Sequence, residues 1–457
     1  MAETKSSEMP RRSGRIDMTE GSIWKSLILF SLPLILGNLL QQLYNTADSV
    51  IVGMYVGNNG FAAVSASTFI IGFMIAFSMG VAAGAGVVIS HFIGAGDADR
   101  VRKAVHTALT FSGLLGLVLS LAGVLLSRKI MLWMDVPPEM LEEAVVYFQL
   151  YSAGLVFSII YNMAAGILNA TGDSKRPLLY LAVASVVNIA LDFALIAGLK
   201  TGVSGAAVAT DVSQLLSCVL ILRFLMRSSG PCRVRLRSLG MNRAILAGVI
   251  GVGLPTGVQN MMISLSNMFV QTSVNRFGVD AVAGYGAYMK IDGFNILPML
   301  SLGLAMMTFA GQNYGAGKID RIRDGMRVTL ILTFGYSILT TGLILTFAAP
   351  LIRLFTPEKA AIAYGVLMAR NLAPVYLVQG VIQVLGGAVR GVGKAVPPML
   401  ILLFAFCVCR IVWLTFFAPS FHHIESVFGV YPASIIFGMI LTVVYVWKWD
   451  WLKEKSL

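Results

Sequence analysis

Charge is scarce in this chain. Asp, Glu, Lys and Arg together make up 12% of its 457 residues, against 57% hydrophobic residues, and the mean hydropathy is +0.80. That balance excludes a water-soluble globular domain and points to a protein that crosses the membrane many times. Cysteine is also sparse. Cys218, Cys232, Cys407 and Cys409 are the only four, and they show no metal-binding or redox spacing. Cys407 and Cys409 stand two apart in an apolar stretch and read as small core residues. Nucleophile–base pairs at a membrane face are missing, so an enzyme is not expected, and no cofactor is implied. The glycine turns at 94–96 and 315–317 have no Gly-Lys-Ser ending and no strand before a helix, which excludes a phosphate loop and ATP as the energy source. The opening stretch, MAETKSSEMPRRSGRIDMTEGS, has no short apolar core followed by a small-residue cleavage site. It reads as a cytoplasmic tail rather than a signal peptide.

What is present is apolar sequence in lengths that span a bilayer. Such segments fall at about 24–56, 61–92, 103–127, 139–169, 176–198 and 203–226, then at about 243–275, 280–310, 325–350, 360–389, 396–418 and 428–447. This predicts an all-α integral membrane protein of twelve transmembrane helices in two sets of six. The expected organisation is a tail over 1–22, an amino-terminal lobe over 23–227, a linker over 228–242, a carboxy-terminal lobe over 243–448 and a second tail over 449–457.

The formal net charge of +12 is a matter of topology. With the N-terminus inside, 25 of the 34 Lys and Arg residues fall on inner segments, six on outer connections and three within spans. This asymmetry predicts both termini in the cytoplasm of a cell-membrane protein. A nucleic-acid partner is not expected.

The two halves repeat. SLPLILGN at 31–38 answers GLPTGVQN at 253–260, GAGDADRVR at 94–102 answers GAGKIDRIR at 315–323, and GILNATGDSKRP at 166–177 answers GAVRGVGKAVPP at 387–398. Parallel six-helix repeats are typical of alternating-access transporters. Pro33 and its repeat mate Pro255 are positions where helices can bend.

The stretch Leu32–Val52 is an apolar helix that carries one ionisable residue, Asp48. Gln41, Tyr44, Asn45 and Asp48 form one polar stripe at helical spacing. A carboxylate in hydrocarbon is costly unless it faces a cavity, a partner or a proton. Asn188 and Asp192, four apart, share a face of the fifth span. Counting 1.5 Å per residue, Asp48, Asp192 and Thr210 lie about 12, 9 and 12 Å below the outer ends of their helices. Three polar positions on three helices therefore meet at one depth. Shifted by 221 or 222 residues, Asp48 maps to Phe269 or Val270, Asp192 to Trp413 and Asn188 to Cys409, so ion coupling is expected in one lobe.

These motifs together resemble the multidrug and toxic compound extrusion (MATE) family over about 18–447. The resemblance implies a two-lobed fold that exports small molecules against an inward flow of H+ or Na+. Asp48, Asn188, Asp192 and Thr210 match the amino-lobe ion site of its DinF-like branch. The Glu that another branch carries in the seventh span would fall near Ile263, where no carboxylate stands.

The second half has its own charges within spans: Lys290, Asp292, Arg370 and Arg410. By residue count Lys290, Asp292 and Arg410 fall near mid-membrane. The first expectation is a structural ion-pair network; the alternative is the cationic wall of a substrate cavity, to which Gln41, Tyr44 and Asn45 would add. The sequence therefore predicts a monomeric antiporter, amphipathic organic compound out and H+ in. Na+ in place of H+ at the same site, or a lipid or lipid-linked precursor flippase, is the alternative.

Overall fold

The computed structural model describes residues 16–421 and 423–452. Most of the N-terminal tail and the end of the C-terminal tail lie outside the described residues. Among the described residues twelve helices are long and apolar enough to cross a membrane: α1 Ile23–Tyr55, α2 Gly60–Gly94, α3 Ala98–Trp133, α4 Pro138–Ala170, α5 Lys175–Gly198, α6 Val203–Arg227, α7 Arg243–Phe277, α8 Val279–Gly315, α9 Ile319–Arg353, α10 Lys359–Gly391, α11 Val396–Phe421 and α12 Ile424–Lys448. The shortest has 24 residues, about 36 Å at the helical rise, which exceeds the hydrocarbon thickness of about 30 Å. Several run beyond the apolar stretches that predict them, since their polar end turns continue the helix past the hydrocarbon.

The helices fall into two units. Among the described residues one is Leu32–Gly257 with Ile16 and Asp17; the other runs from Val258 onward with Met18–Ser31. Thus α1 changes unit between Ser31 and Leu32, beside Pro33, and α7 changes between Gly257 and Val258, beside Pro255.

In the first unit α4 packs against α2, α3 and α6. With lipid as apolar as the side chains, helix association rests on close van der Waals packing, and small residues allow it. Gly166 of α4 faces the Ala82 carbonyl of α2, 2.9 Å from where a Cβ would stand. Gly80 and Gly84 of α2 face Gly257 and Gly253 of α7 so closely that a Cβ at either would strike backbone. Around these contacts lie buried Val81, Ala85, Val105, Ile167, Ile221 and Val249.

The second unit repeats the plan, with α10 against α8, α9 and α12. Gly387 of α10 meets the Gly303 carbonyl of α8. These positions are Gly166 and Ala82 advanced by 221 residues, so the duplicated sequence makes the duplicated contact.

Both repeats turn alike where α2 and α8 end. Ala95 and Ala316 cap them, and Gly96 and Gly317 follow with φ of 72° and 70°, a left-handed backbone that glycine adopts without a Cβ penalty. Short segments close each unit near these turns. In the second, the Met18 N–H donates to Gln312 Oε1 at 3.1 Å, and Asn313 Nδ2 and Arg321 Nε donate to the Met18 carbonyl. In the first, the Arg235 N–H donates to His106 Nε2 and the Asn242 N–H to Thr107 Oγ1, each at 3.1 Å.

Two spans contain π-helical turns. In α5 a π-helical turn runs over Phe193–Gly198; in α11 two such turns, Phe404–Val408 and Trp413–Phe417, flank Cys409–Val412. These wide turns interrupt the regular hydrogen-bond ladder and are frequent at functional sites.

Candidate ion-coupling site

Asp192 is the last α-helical residue before the π-turn of α5. It is fully buried, and Asn188, one turn earlier, is buried beside it. Asp48 comes from α1, half-buried. The two carboxyls are neighbours, close enough to interact electrostatically. Among the described residues Asp48 Oδ1, both oxygens of Asp192 and Asn188 Oδ1 have no donor, and Asn188 Nδ2 has no acceptor. Two ionised carboxylates repel at this distance. The contact closes when one carries a proton or when a cation sits between them.

One turn toward the N-terminal ends of α1 and α5 is a small polar cavity. Tyr44, Ser185, Asn188, Thr210, Ser213 and Gln214 line it, with Leu181 and Ala184. It offers about 10 Å3 to the centre of a water molecule, room for one small guest. Thr210 Oγ1 bonds back to the Ala206 carbonyl at 3.0 Å. Tyr44 and Gln214 both line the cavity, and among the described residues Gln214 Oε1 has no hydrogen-bond partner. Helical spacing placed Tyr44 on the polar stripe; nothing in the pattern of α6 singled out Gln214.

The stripe on α1 is divided in the fold. Tyr44 and Asp48 turn inward, Gln41 is half-buried and Asn45 is exposed. Asp211, next to Thr210 in the chain, faces α4, where its carboxyl fills the space beside Gly154. It is not a member of the Asp48–Asp192 pair.

The charges of the second unit do not form the expected ion-pair network. Among the described residues Lys290, Asp292, Arg370 and Arg410 have no oppositely charged contact. Lys290 is exposed, its ammonium 5.6 Å from the centre of the Phe355 ring, level with the end of α9 rather than at mid-membrane. A long side chain carries its charge to the edge in this way. Asp292 accepts a 2.6 Å hydrogen bond from Tyr376 Oη, which is bonded at 2.8 Å to Tyr288 Oη. Arg370 is exposed on α10. Arg410 is 3% exposed and donates to Ser434 Oγ, Ser266 Oγ and Asn267 Oδ1. Phenol, hydroxyl and amide partners take the place of carboxylate–cation contacts.

Twelve spans in two like units are the architecture of a membrane transporter. The chain matches the MatE family over residues 33–194 and 255–415, once in each half, and it belongs to that family of multidrug efflux transporters, which are not enzymes. It is 30% identical over 443 residues to the probable multidrug resistance protein YoeA of Bacillus subtilis, covering 93% of this chain and 95% of that one. It is 24% identical to the probable multidrug resistance protein NorM of Thermotoga maritima, covering 95% and 94%. Its fold matches that of a MOP superfamily transporter from Pyrococcus furiosus, with a TM-score of 0.88, 23% identity and 96% and 98% of the two chains covered.

Proposed function

We propose that this protein is an antiporter that exports amphipathic organic compounds across the cell membrane in exchange for H+, with both termini in the cytoplasm. Asp48 and Asp192 bind the coupling proton; Asn188 and Thr210 position it beside the polar cavity. The observation that carries this reading is the pair of neighbouring carboxyls whose buried oxygens have no donor among the described residues. Such a pair gains a proton when its helices face the more acidic side and returns it on the other. The protonated and ionised pairs favour different packings of α1 and α5, and a substrate with unequal affinity for those packings is moved. One charge moved inward is worth about 2.3 kcal/mol per 100 mV, so one proton is an adequate drive.

The same oxygen atoms, with Asn188 Oδ1 and Thr210 Oγ1, are hard ligands of the kind Na+ takes. The experiment is therefore uptake or efflux of a fluorescent organic cation in proteoliposomes under a pH gradient alone and a Na+ gradient alone. Export driven by the pH gradient supports proton coupling. Export driven by Na+ alone assigns the same residues to a sodium site.

A further inference from the structure

The two units hold opposite charge at corresponding turns. In α5 the π-turn after Asp192 adjoins the carboxyl pair. In α11 the π-turn begins at Trp413, the position 221 residues on, and Arg410 precedes it by one helical turn. Arg410 is buried with only neutral acceptors around it: Ser434 Oγ at 3.0 Å, Ser266 Oγ at 3.3 Å and Asn267 Oδ1 at 2.8 Å. The guanidinium carbon lies 4.7 Å from the ring centres of both Phe406 and Tyr431. These contacts use Nε and Nη1. Among the described residues Nη2 has no hydrogen-bond partner. Asp292 lies within electrostatic reach of the guanidinium but is bonded to Tyr376 instead. A buried cation without a counter-ion is costly within a membrane and marks a ligand or ion pathway. An arginine beside aromatic rings keeps a planar donor edge, the geometry that takes a carboxylate or phosphate.

We infer that Arg410 is an anion subsite of the second unit, binding the carboxylate or phosphate of an amphipathic aromatic substrate through its Nη2 edge. Asn267, exposed and bonded to Nη1, lies at its mouth. Asp292 stands near enough to favour a cationic group elsewhere on the same molecule, so zwitterions fit best. This inference deepens the export reading by naming a substrate class, yet it concerns binding and is independent of the coupling ion.

The test is equilibrium binding to purified protein in nanodiscs without any gradient, using a zwitterionic rhodamine carboxylate and its cationic methyl ester. The intact protein is expected to bind the carboxylate more tightly, and benzoate to compete where benzamide does not. Arg410→Gln should weaken the carboxylate by about tenfold, the worth of one charge-assisted hydrogen-bond pair, and leave the ester within about twofold. Arg410→Lys, which keeps the charge and loses the fork, should fall between. Equal loss of both dyes makes Arg410 a structural staple and overturns the inference. So does unchanged binding of the carboxylate. Should Arg410→Gln fail to fold, the comparison of benzoate with benzamide on the intact protein decides. Failure of gradient-driven export with intact carboxylate selectivity would reject the coupling mechanism and leave this subsite standing.

Discussion

The carboxyl of Asp211 on α6 fills the space that a side chain at Gly154 on α4 would need. The two helices pack along much of their length, so this contact sets their spacing at that level. Gly154→Ala is expected to overpack it and destabilise the protein by about 1–3 kcal/mol. The measurement is thermal unfolding in detergent. Asp211→Ala in the same chain should restore part of the lost Tm, because coupled neighbours do not add. Equal loss in the single and double variants would show that the contact is not the source.

Asp48→Asn and Asp192→Asn should each abolish gradient-driven export while the protein still inserts and purifies as the parent does. The substitution keeps the size of the side chain and removes the group that exchanges a proton. Asp292→Asn, which sits in a tyrosine network of the other unit, should retain coupled export. Efflux from proteoliposomes under an imposed pH gradient separates the cases. Coupling lost only in Asp292→Asn would place the coupling ion in the wrong unit.

Substrate affinity should weaken as the medium is made more acidic between about pH 9 and pH 5. Protonation neutralises the Asp48–Asp192 contact and favours the packing from which substrate leaves. Asp192→Asn is expected to flatten the curve at its weak end. Binding of a fluorescent substrate across pH, at fixed Na+, reads this directly. Affinity that follows Na+ and ignores pH would exclude the proton.

Topology can be read with impermeant thiol reagents on intact cells, in a chain whose four native cysteines are replaced by alanine. Single cysteines at Glu139 and Lys359 should label from outside. Those at Ser238 and Arg323 should label only after the cells are opened. All four positions are exposed, so absence of labelling reports sidedness. External labelling at either of the latter two would reverse the orientation drawn from the Lys and Arg distribution.

The amino-acid sequence by itself determined the twelve helices, the duplication and the helices that carry Asp48, Asn188, Asp192 and Thr210. Each of these is a local or periodic property. A bilayer accepts only long apolar segments with satisfied backbones, and helical rise turns residue number into depth. It also showed that the second half carries no counterpart of Asp48 or Asp192. Tertiary structure decided what depends on the rotation and spacing of helices distant in the chain. It turned Asp211 onto Gly154, brought Gln214 to Tyr44 around a water-sized cavity and exposed Asn45. It gave Arg410 neutral partners in place of Asp292. It also passed α1 and α7 from one unit to the other beside Pro33 and Pro255, where a sequence division would be drawn between helices. The π-turns after Asp192 and around Arg410 belong to the same class. They arise where packing tolerates one extra residue per turn, and no composition or spacing in α5 or α11 announces them.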